Sequence, residues 1–179
     1  MVKGTLAGAL SGSALLLGAA ILGRLLGRPL VPDWVMVASF LGALAAFAAL
    51  IFRMREAAAD GAVDGSAVWS WSQAPSAGVA AGVILVSAAF MVAITAFLGL
   101  KQGGPAQGRP GCEFRLNNKG AGTCVDEATY GRAGASEQSL FLSIAAAFIA
   151  FDALGFACVR EASGSSPIWV EGTRDADWH

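Results

Sequence analysis

Two cysteines, Cys112 and Cys124, are the residues whose type and spacing most directly suggest chemistry. Eleven residues separate them, within the segment PGCEFRLNNKGAGTC. A zinc site would need four ligands, usually as closely spaced pairs of Cys or His, whereas this chain has three cysteines and one histidine, the terminal His179. A catalytic thiol pair would have the spacing Cys-x-x-Cys, which the sequence lacks. The spacing therefore favours a disulfide, and two free cysteines are the alternative.

The residues between the two cysteines also favour a disulfide. The run NNKGAG has the turn chemistry that brings two chain ends together. In the chain-entropy model, closing a loop this short restricts the unfolded chain by about 3 kcal/mol. Because disulfides persist in oxidising compartments, this pairing predicts that the segment faces the exterior or a lumen.

Long apolar stretches supply the elements that position these cysteines. Only 14% of the 179 residues are charged and the mean hydropathy is +0.60, whereas a soluble domain usually has about a quarter charged residues. Four stretches approach the roughly 20 residues that a helix needs to cross a bilayer, at about 5–23, 34–52, 77–100 and 138–159. The sequence predicts an all-α integral membrane protein: four transmembrane helices with a disulfide-stapled loop between helices 3 and 4.

The same stretches predict the organisation of the chain. We expect a four-helix transmembrane domain over residues 1–159, with an exposed loop at 101–137, and a polar C-terminal tail over 160–179. The first stretch also has signal-peptide features, since Lys3 precedes an apolar run. That run is longer than the about 7–15 residues of a signal-peptide core, so we expect a retained helix.

The cysteines and the charges predict opposite orientations in the membrane. An oxidised loop between helices 3 and 4 places both termini on the opposite, reducing side, in an organelle that the sequence does not identify. The outer segments then carry seven basic residues, more than the positive-inside rule favours. The inner segments carry five: Lys3, Arg53, Arg55, Arg160 and Arg174. The outer seven are Arg24, Arg28, Lys101, Arg109, Arg115, Lys119 and Arg132. The expected orientation follows the cysteines, because the long loop spreads its charges away from the helix ends.

Asp152 is an acidic residue inside the fourth apolar stretch, in AFIAFDALGFACV. An acid at membrane depth is costly and is a functional hypothesis by default, as a site for a proton, a cation or the metal of a pigment. The structural alternatives are a position near the interface, or a hydrogen bond to a hydroxyl of a neighbouring helix such as Thr95 or Ser39. Both interpretations stay open at the level of sequence.

Small residues and tryptophans predict how the helices pack and where the membrane ends. Glycines at four-residue spacing allow the backbones of neighbouring helices to approach closely. The predicted packing glycines are Gly4, Gly8, Gly12, Gly78 and Gly82. Tryptophan prefers the membrane interface, and the predicted interface anchors are Trp69, Trp71, Trp169 and Trp178.

Composition and missing motifs argue against several function classes. The net charge of −1 gives no basis for nucleic-acid binding, and the sequence shows neither a nucleophile–base set nor a Gly-rich phosphate loop. We therefore expect a protein that is not an enzyme, without catalytic residues, a metal site or an intrinsic cofactor. A peripheral lipid or pigment is compatible with the sequence.

The expected function is that of a non-catalytic accessory, linker or scaffold subunit of a larger membrane assembly, such as a respiratory or photosynthetic complex, or of a tetraspan organiser. Its expected partners are membrane lipids and other integral membrane subunits. They would be contacted through helix faces, the loop 101–137 and the C-terminal tail. The alternative is a small oligomeric transporter or channel that uses Asp152 as its ion-coupling residue.

Overall fold

The computed structural model describes residues 2–59 and 76–164, and it is mostly helical. Its side chains are described over residues 7–56, 78–101 and 103–156. Four helices follow in chain order: α1 (Val2–Leu26), α2 (Asp33–Ala59), α3 (Ser76–Gly99) and α4 (Glu127–Gly164). Each is long and apolar enough to cross a membrane, which confirms the predicted number of apolar helices.

The fourth helix begins at Glu127, eleven residues before the predicted start at 138. The added segment, EATYGRAGASE, is too polar to be detected by hydropathy. A capping interaction starts the helix there: the Tyr130 backbone N–H donates to the Asp126 carbonyl at 3.0 Å. The Asp126 carboxylate also accepts hydrogen bonds from the backbone and side chain of Thr129, as an N-cap residue does. A local cap therefore decides where α4 begins.

The connection between α3 and α4 contains a small sheet, so the all-α prediction is wrong here. A 3₁₀ turn at Leu100–Gln102 leads into strands β1 (Gly104–Ala106), β2 (Arg115–Asn118) and β3 (Ala121–Cys124). They form an antiparallel sheet in the order β1-β2-β3. Between β2 and β3, Lys119 and Gly120 both have positive φ, 50° and 89°, which suits a two-residue hairpin turn. Strands of three or four residues are too short for side-chain alternation to reveal them.

The fourth helix is the centre of the bundle, because α1, α2 and α3 each pack mainly against it. Phe40 and Phe47 of α2 contact Phe141 and Phe148 in the same order, so α2 runs parallel to α4. The helices α1 and α3 run antiparallel to it, as their contacts below show. The sheet and the α1–α2 turn therefore lie at one end of the bundle, the sheet end. The starts of α1 and α3 lie at the other, the far end.

The interior of the bundle is built from small side chains, whereas its outer surface carries large apolar ones. The buried apolar residues of α4 are Ala133, Ala135, Leu142, Ala145, Ala146, Ala150, Ala153 and Leu154. The outer faces of the other helices expose large side chains such as Leu15 (75%), Trp34 (72%) and Phe90 (63%). A surface this apolar exceeds what a monomeric soluble protein normally exposes.

Among the predicted packing glycines, Gly82 makes a close helix contact. A Cβ atom built on Gly82 would lie 2.6 Å from Cδ2 of Leu154 on α4. Built on Gly8 or Gly12, it would have no heavy atom within 4 Å in the described part of the chain, so the described residues show no close helix contact at these two positions. Gly4 and Gly78 lie in α1 and α3, where no described contact tests them.

Replacing Gly82 with alanine should destabilise the bundle, because the new methyl group would overlap Leu154. Overpacking of this kind costs about 1–3 kcal/mol, so we expect a lower midpoint of thermal unfolding in detergent. Gly42→Ala is the matched control, since nothing lies within 4 Å of a Cβ there and alanine favours the helix by about 0.5–1 kcal/mol. Equal effects of the two substitutions would contradict the proposed contact.

Candidate functional site

The polar side chains inside the described bundle come mainly from α4. Its buried polar residues are Ser136, Gln138, Ser139, Ser143 and Asp152, and α1 contributes Ser13. Because the remaining interior is small and apolar, these six residues are the groups that could recognise a ligand or carry a charge. Their hydrogen bonds distinguish structural roles from functional ones.

Gln138 holds the turn that joins α1 to α2. Its Oε1 accepts hydrogen bonds from the backbone N–H groups of Leu30 (2.8 Å) and Val31 (3.1 Å), and its Nε2 donates to the Val31 carbonyl. The turn has the sequence RPLVPD, in which Pro29 and Pro32 have no backbone N–H. The side chain of Gln138 therefore satisfies both donors that lie between the two prolines, and its role is structural.

Two buried serines, one on α1 and one on α4, also have structural partners. Ser139 donates to the carbonyl of Ala20 at 2.7 Å, and Ser13 donates to the carbonyl of Ala146 at 2.8 Å. Hydrogen bonds of this kind join helices in an apolar environment. Since residue 20 pairs with 139 and residue 13 with 146, these bonds also establish the antiparallel direction of α1 relative to α4.

Asp152 differs from Ser13, Gln138, Ser139 and Ser143, because its carboxylate has no described hydrogen-bond partner. The side chain is only 3% exposed. Neither Oδ1 nor Oδ2 accepts a hydrogen bond from any residue in the described part of the chain. A buried polar group without a hydrogen bond is costly, and a buried charge without a partner is costlier still. Asp152 is therefore the candidate functional residue.

Close helix contacts surround the level of Asp152 near the far end. Leu154 lies against Gly82 of α3, and a Cβ built on Gly155 would lie 2.5 Å from Cδ2 of Leu50 on α2. Directly before Asp152 in the chain, Phe151 packs against Phe47 of α2, with ring centroids 6.4 Å apart. Asp152 therefore lies where α4 is in close contact with both α2 and α3.

The hydrogen bonds suggested for Asp152 do not fit these contacts. Thr95 lies at the sheet end, where its hydroxyl accepts a hydrogen bond from Arg24 Nη1 at 2.8 Å and donates to the Val92 carbonyl at 3.0 Å. Ser39, next to Phe40, is also nearer to the sheet end. The suggested hydrogen bonds to Thr95 and Ser39 are therefore wrong. The alternative of a position near the membrane interface is not tested by this burial, because a residue can be buried between helices at any depth.

The other predicted site is the cysteine pair, and Cys112 and Cys124 form a disulfide. Their Cα atoms are 5.6 Å apart, within the normal range for a disulfide. Cys112 precedes β2 and also exchanges backbone hydrogen bonds of 2.8 and 2.9 Å with Arg109. Cys124 ends β3, so the disulfide connects the edge of the sheet to the loop before β2. We call residues 100–126 the sheet head.

Several contacts hold the sheet head together and attach it to the first turns of α4. Asn118 Nδ2 donates to the carbonyl of Lys101 at 3.0 Å, and β1 packs on α4. The rings of Phe114 and Tyr130 have centroids 5.5 Å apart, and Leu116 is buried. The sheet head is therefore an ordered unit that is supported by the first turns of α4.

An open cleft of about 480 Å³ lies between the sheet end of α1 and the first turn of α4. It contains one basic side chain, Arg28, and two acidic ones, Asp126 and Glu127. Hydrogen bonds from the Thr129 side chain and backbone lower the pKa of Asp126, and nearby Arg132 adds to the effect. The cleft therefore carries charges of both signs. Among the described residues, no group of three or more His, Cys, Asp or Glu could hold a metal ion.

The remaining sequence-predicted residues lie outside this description. The four predicted interface tryptophans, at positions 69, 71, 169 and 178, all lie beyond the described residues. Gln138 and the serines of α4 were not predicted as structural residues. The sequence does contain one signal for this contact. Leu30 and Val31 lie between two prolines, and their backbone N–H groups need an acceptor from elsewhere in the chain.

Comparisons with known proteins do not assign a function to these features. A comparison of the chain with protein-family models, curated proteins and solved structures finds no match. Functional conclusions therefore depend on the geometry of the chain itself.

Replacing Gln138 with methionine should destabilise the α1–α2 turn, because two backbone N–H groups lose their acceptor. Unsatisfied groups of this kind cost about 1–3 kcal/mol each. We expect a lower unfolding midpoint and faster hydrogen exchange at the amides of Leu30 and Val31.

Leu140→Met is the control for this substitution. It places the same new side chain two residues further along α4, at a partly buried position where leucine has no side-chain hydrogen bond to lose. A swap that conserves volume in this way usually costs less than about 1.5 kcal/mol. If hydrogen exchange at the amides of Leu30 and Val31 were unchanged in Gln138→Met, the proposed role of Gln138 in the α1–α2 turn would be contradicted.

Proposed function

We propose that this chain is an integral membrane protein that acts as a non-catalytic accessory or scaffold subunit, with the sheet head as its main docking surface. The observation that carries this proposal is an ordered, disulfide-linked unit mounted on a bundle of apolar helices. A rigid exposed unit loses little conformational freedom on binding, which favours recognition of a partner.

The distribution of side chains supports insertion into a bilayer. On α2, exposed Trp34 and exposed Arg53 mark the two ends of an apolar segment. They are nineteen residues apart, which corresponds to roughly 28 Å of helix, and the hydrocarbon core of a bilayer is about 30 Å thick. A tryptophan and an arginine at these positions suit the two interfaces.

The disulfide supports an orientation with the sheet head on the exterior or lumenal side. Disulfides persist there and are rare in reducing compartments. Because α1 and α4 are antiparallel, both the start of α1 and the end of α4 would then lie on the opposite side. This proposal keeps the orientation expected from the cysteines.

The surface of the sheet head suits a protein partner. All four residues of β3 are exposed, and exposed charges of both signs surround them, including Lys101, Glu113 and Lys119. Mixed charges favour a specific protein surface over a polyanion. We propose that the partner is another integral membrane subunit with an ordered segment on the same side. The apolar outer faces of α1–α3 are available to lipids or neighbouring helices, and a peripheral lipid or pigment would bind there.

The first test is the native size of the protein in mild detergent, measured together with the absorption spectrum of the same peak. We expect the chain to migrate within a larger assembly. The double substitution Cys112→Ser and Cys124→Ser should reduce this association, because the loop before β2 would no longer be held to β3. Cys158→Ser is the matched control and should leave the assembly intact. A small homo-oligomer in the wild type would contradict the proposal.

A second candidate function is a small oligomeric transporter or channel in which Asp152 is the ion-coupling residue. The specific observation that favours it is the buried carboxylate without a described hydrogen-bond partner. Ionisable residues inside apolar helices often mark ion pathways and proton relays. The four-helix chain would then need further copies to complete a pathway.

The transport hypothesis predicts that Asp152→Asn abolishes ion-coupled flux in reconstituted vesicles. The amide has nearly the same shape as the carboxyl group but cannot exchange a proton or balance a cation. Glu137→Gln is the control, because it removes another carboxylate of α4 at the sheet end. Flux that persists unchanged in the Asp152 variant would rule out this function.

A further inference from the structure

We infer that Asp152 is a proton-binding site, and that release of its proton loosens the contact of α4 with α2 and α3. This inference rests on the site of the second candidate function and names the ion that this site would bind. It does not require that the protein transports anything. Four observations on the described residues carry it: the burial of the side chain, the lack of a hydrogen-bond partner, the absence of a nearby cation and the close packing at its level.

No cationic side chain in the described bundle lies near Asp152. The described segments 7–23, 34–52 and 78–99 of α1, α2 and α3 contain no charged residue. On α2 the nearest charges are Arg53, Arg55 and Glu56, and Arg53 is an exposed residue that pairs with Glu56 at 3.2 Å. On α1, Arg24 lies at the sheet end with Thr95, and Lys3 lies near the start of the helix, where side chains are not described. On α4, Glu137 lies four turns away, and Arg160 follows two turns later, where side chains are not described.

The packing also argues against a metal ion as the ligand of Asp152. Calcium and magnesium require about six or more oxygen ligands. The described residues contain no cluster of three potential metal ligands. A side chain that is 3% exposed also has no room for a cationic group from another chain. A proton is the ligand that needs neither space nor further ligands, and it makes the buried carboxyl neutral.

The contacts at this level explain why proton release would affect helix packing. Gly82 and Gly155 bring α3 and α2 so close to α4 that a methyl group would overlap Leu154 or Leu50. An ionised carboxylate in this position needs water or a counter-ion, because an isolated charge in an apolar interior is strongly disfavoured. Water can reach Asp152 only if these contacts separate. The charged form of Asp152 therefore disfavours the close packing of α4 against α2 and α3.

Infrared spectroscopy of the full-length protein in lipid vesicles, recorded from mildly acidic to neutral pH, tests the proton site. A protonated carboxyl group has a carbonyl stretching band that is separate from the bands of carboxylates and amides. We expect the wild type to show such a band, and we expect Asp152→Asn to lose it while Glu137→Gln retains the Asp152 contribution. Asp152→Ser provides a second variant in case the asparagine variant does not fold. Identical spectra of the wild type and a folded Asp152 variant would overturn the inference.

Thermal unfolding at increasing pH tests the coupling to helix packing. Between the pH at which an exposed carboxyl group ionises and the higher pH at which buried Asp152 ionises, the folded protein holds one more proton than the unfolded chain. Over this range, the unfolding midpoint of the wild type should decrease more steeply with pH than that of Asp152→Asn. Parallel pH dependences would reject the coupling. These readouts are independent of the proposed functions. If the carboxyl band is present but ion flux is not, the proton site is supported and the transport function is rejected. If no larger assembly is found, only the docking proposal is contradicted.

Discussion

The packing of three helices around α4 is the constraint on which the rest of the structure depends. The small residues of α4 allow α1, α2 and α3 to approach it closely, and its polar side chains fix their positions. Ser139 bonds to the backbone of α1, while Gln138 satisfies the turn that leads into α2. In an apolar environment, where burial of apolar surface contributes little, such packing and hydrogen bonds determine how helices associate.

The same helix links the two features from which function is proposed. At its first turns α4 supports the sheet head, through β1 and the contact of Tyr130 with Phe114. Near its far end it carries Asp152, between close contacts with α2 and α3. A rearrangement of α4 could therefore affect both ends of the molecule. Because the sheet head and Asp152 lie at different ends of α4, partner docking and proton binding can be measured separately.

Part of the fold could be predicted from sequence because it depends on local properties. Runs of apolar residues revealed all four helices, and the spacing of Cys112 and Cys124 indicated their disulfide. The polar start of α4 could not be predicted from hydropathy. It is stabilised by the Asp126 cap and by contacts with neighbouring segments, and not by a run of apolar residues. The short strands could not be predicted, because each forms by pairing with residues up to about a dozen positions away in the chain. The amino-acid composition of a strand does not indicate which residues it pairs with.

The sequence by itself determined the number of apolar helices and the presence of an acid within the last helix, and it favoured the pairing of Cys112 with Cys124. Only the tertiary structure decided that α4 is central, that Gln138 serves the α1–α2 turn and that Asp152 is buried without a described hydrogen-bond partner. The physical reason is that length and hydropathy belong to each segment alone. Burial and hydrogen bonding depend on which faces of different helices meet, and a single sequence does not state those pairings.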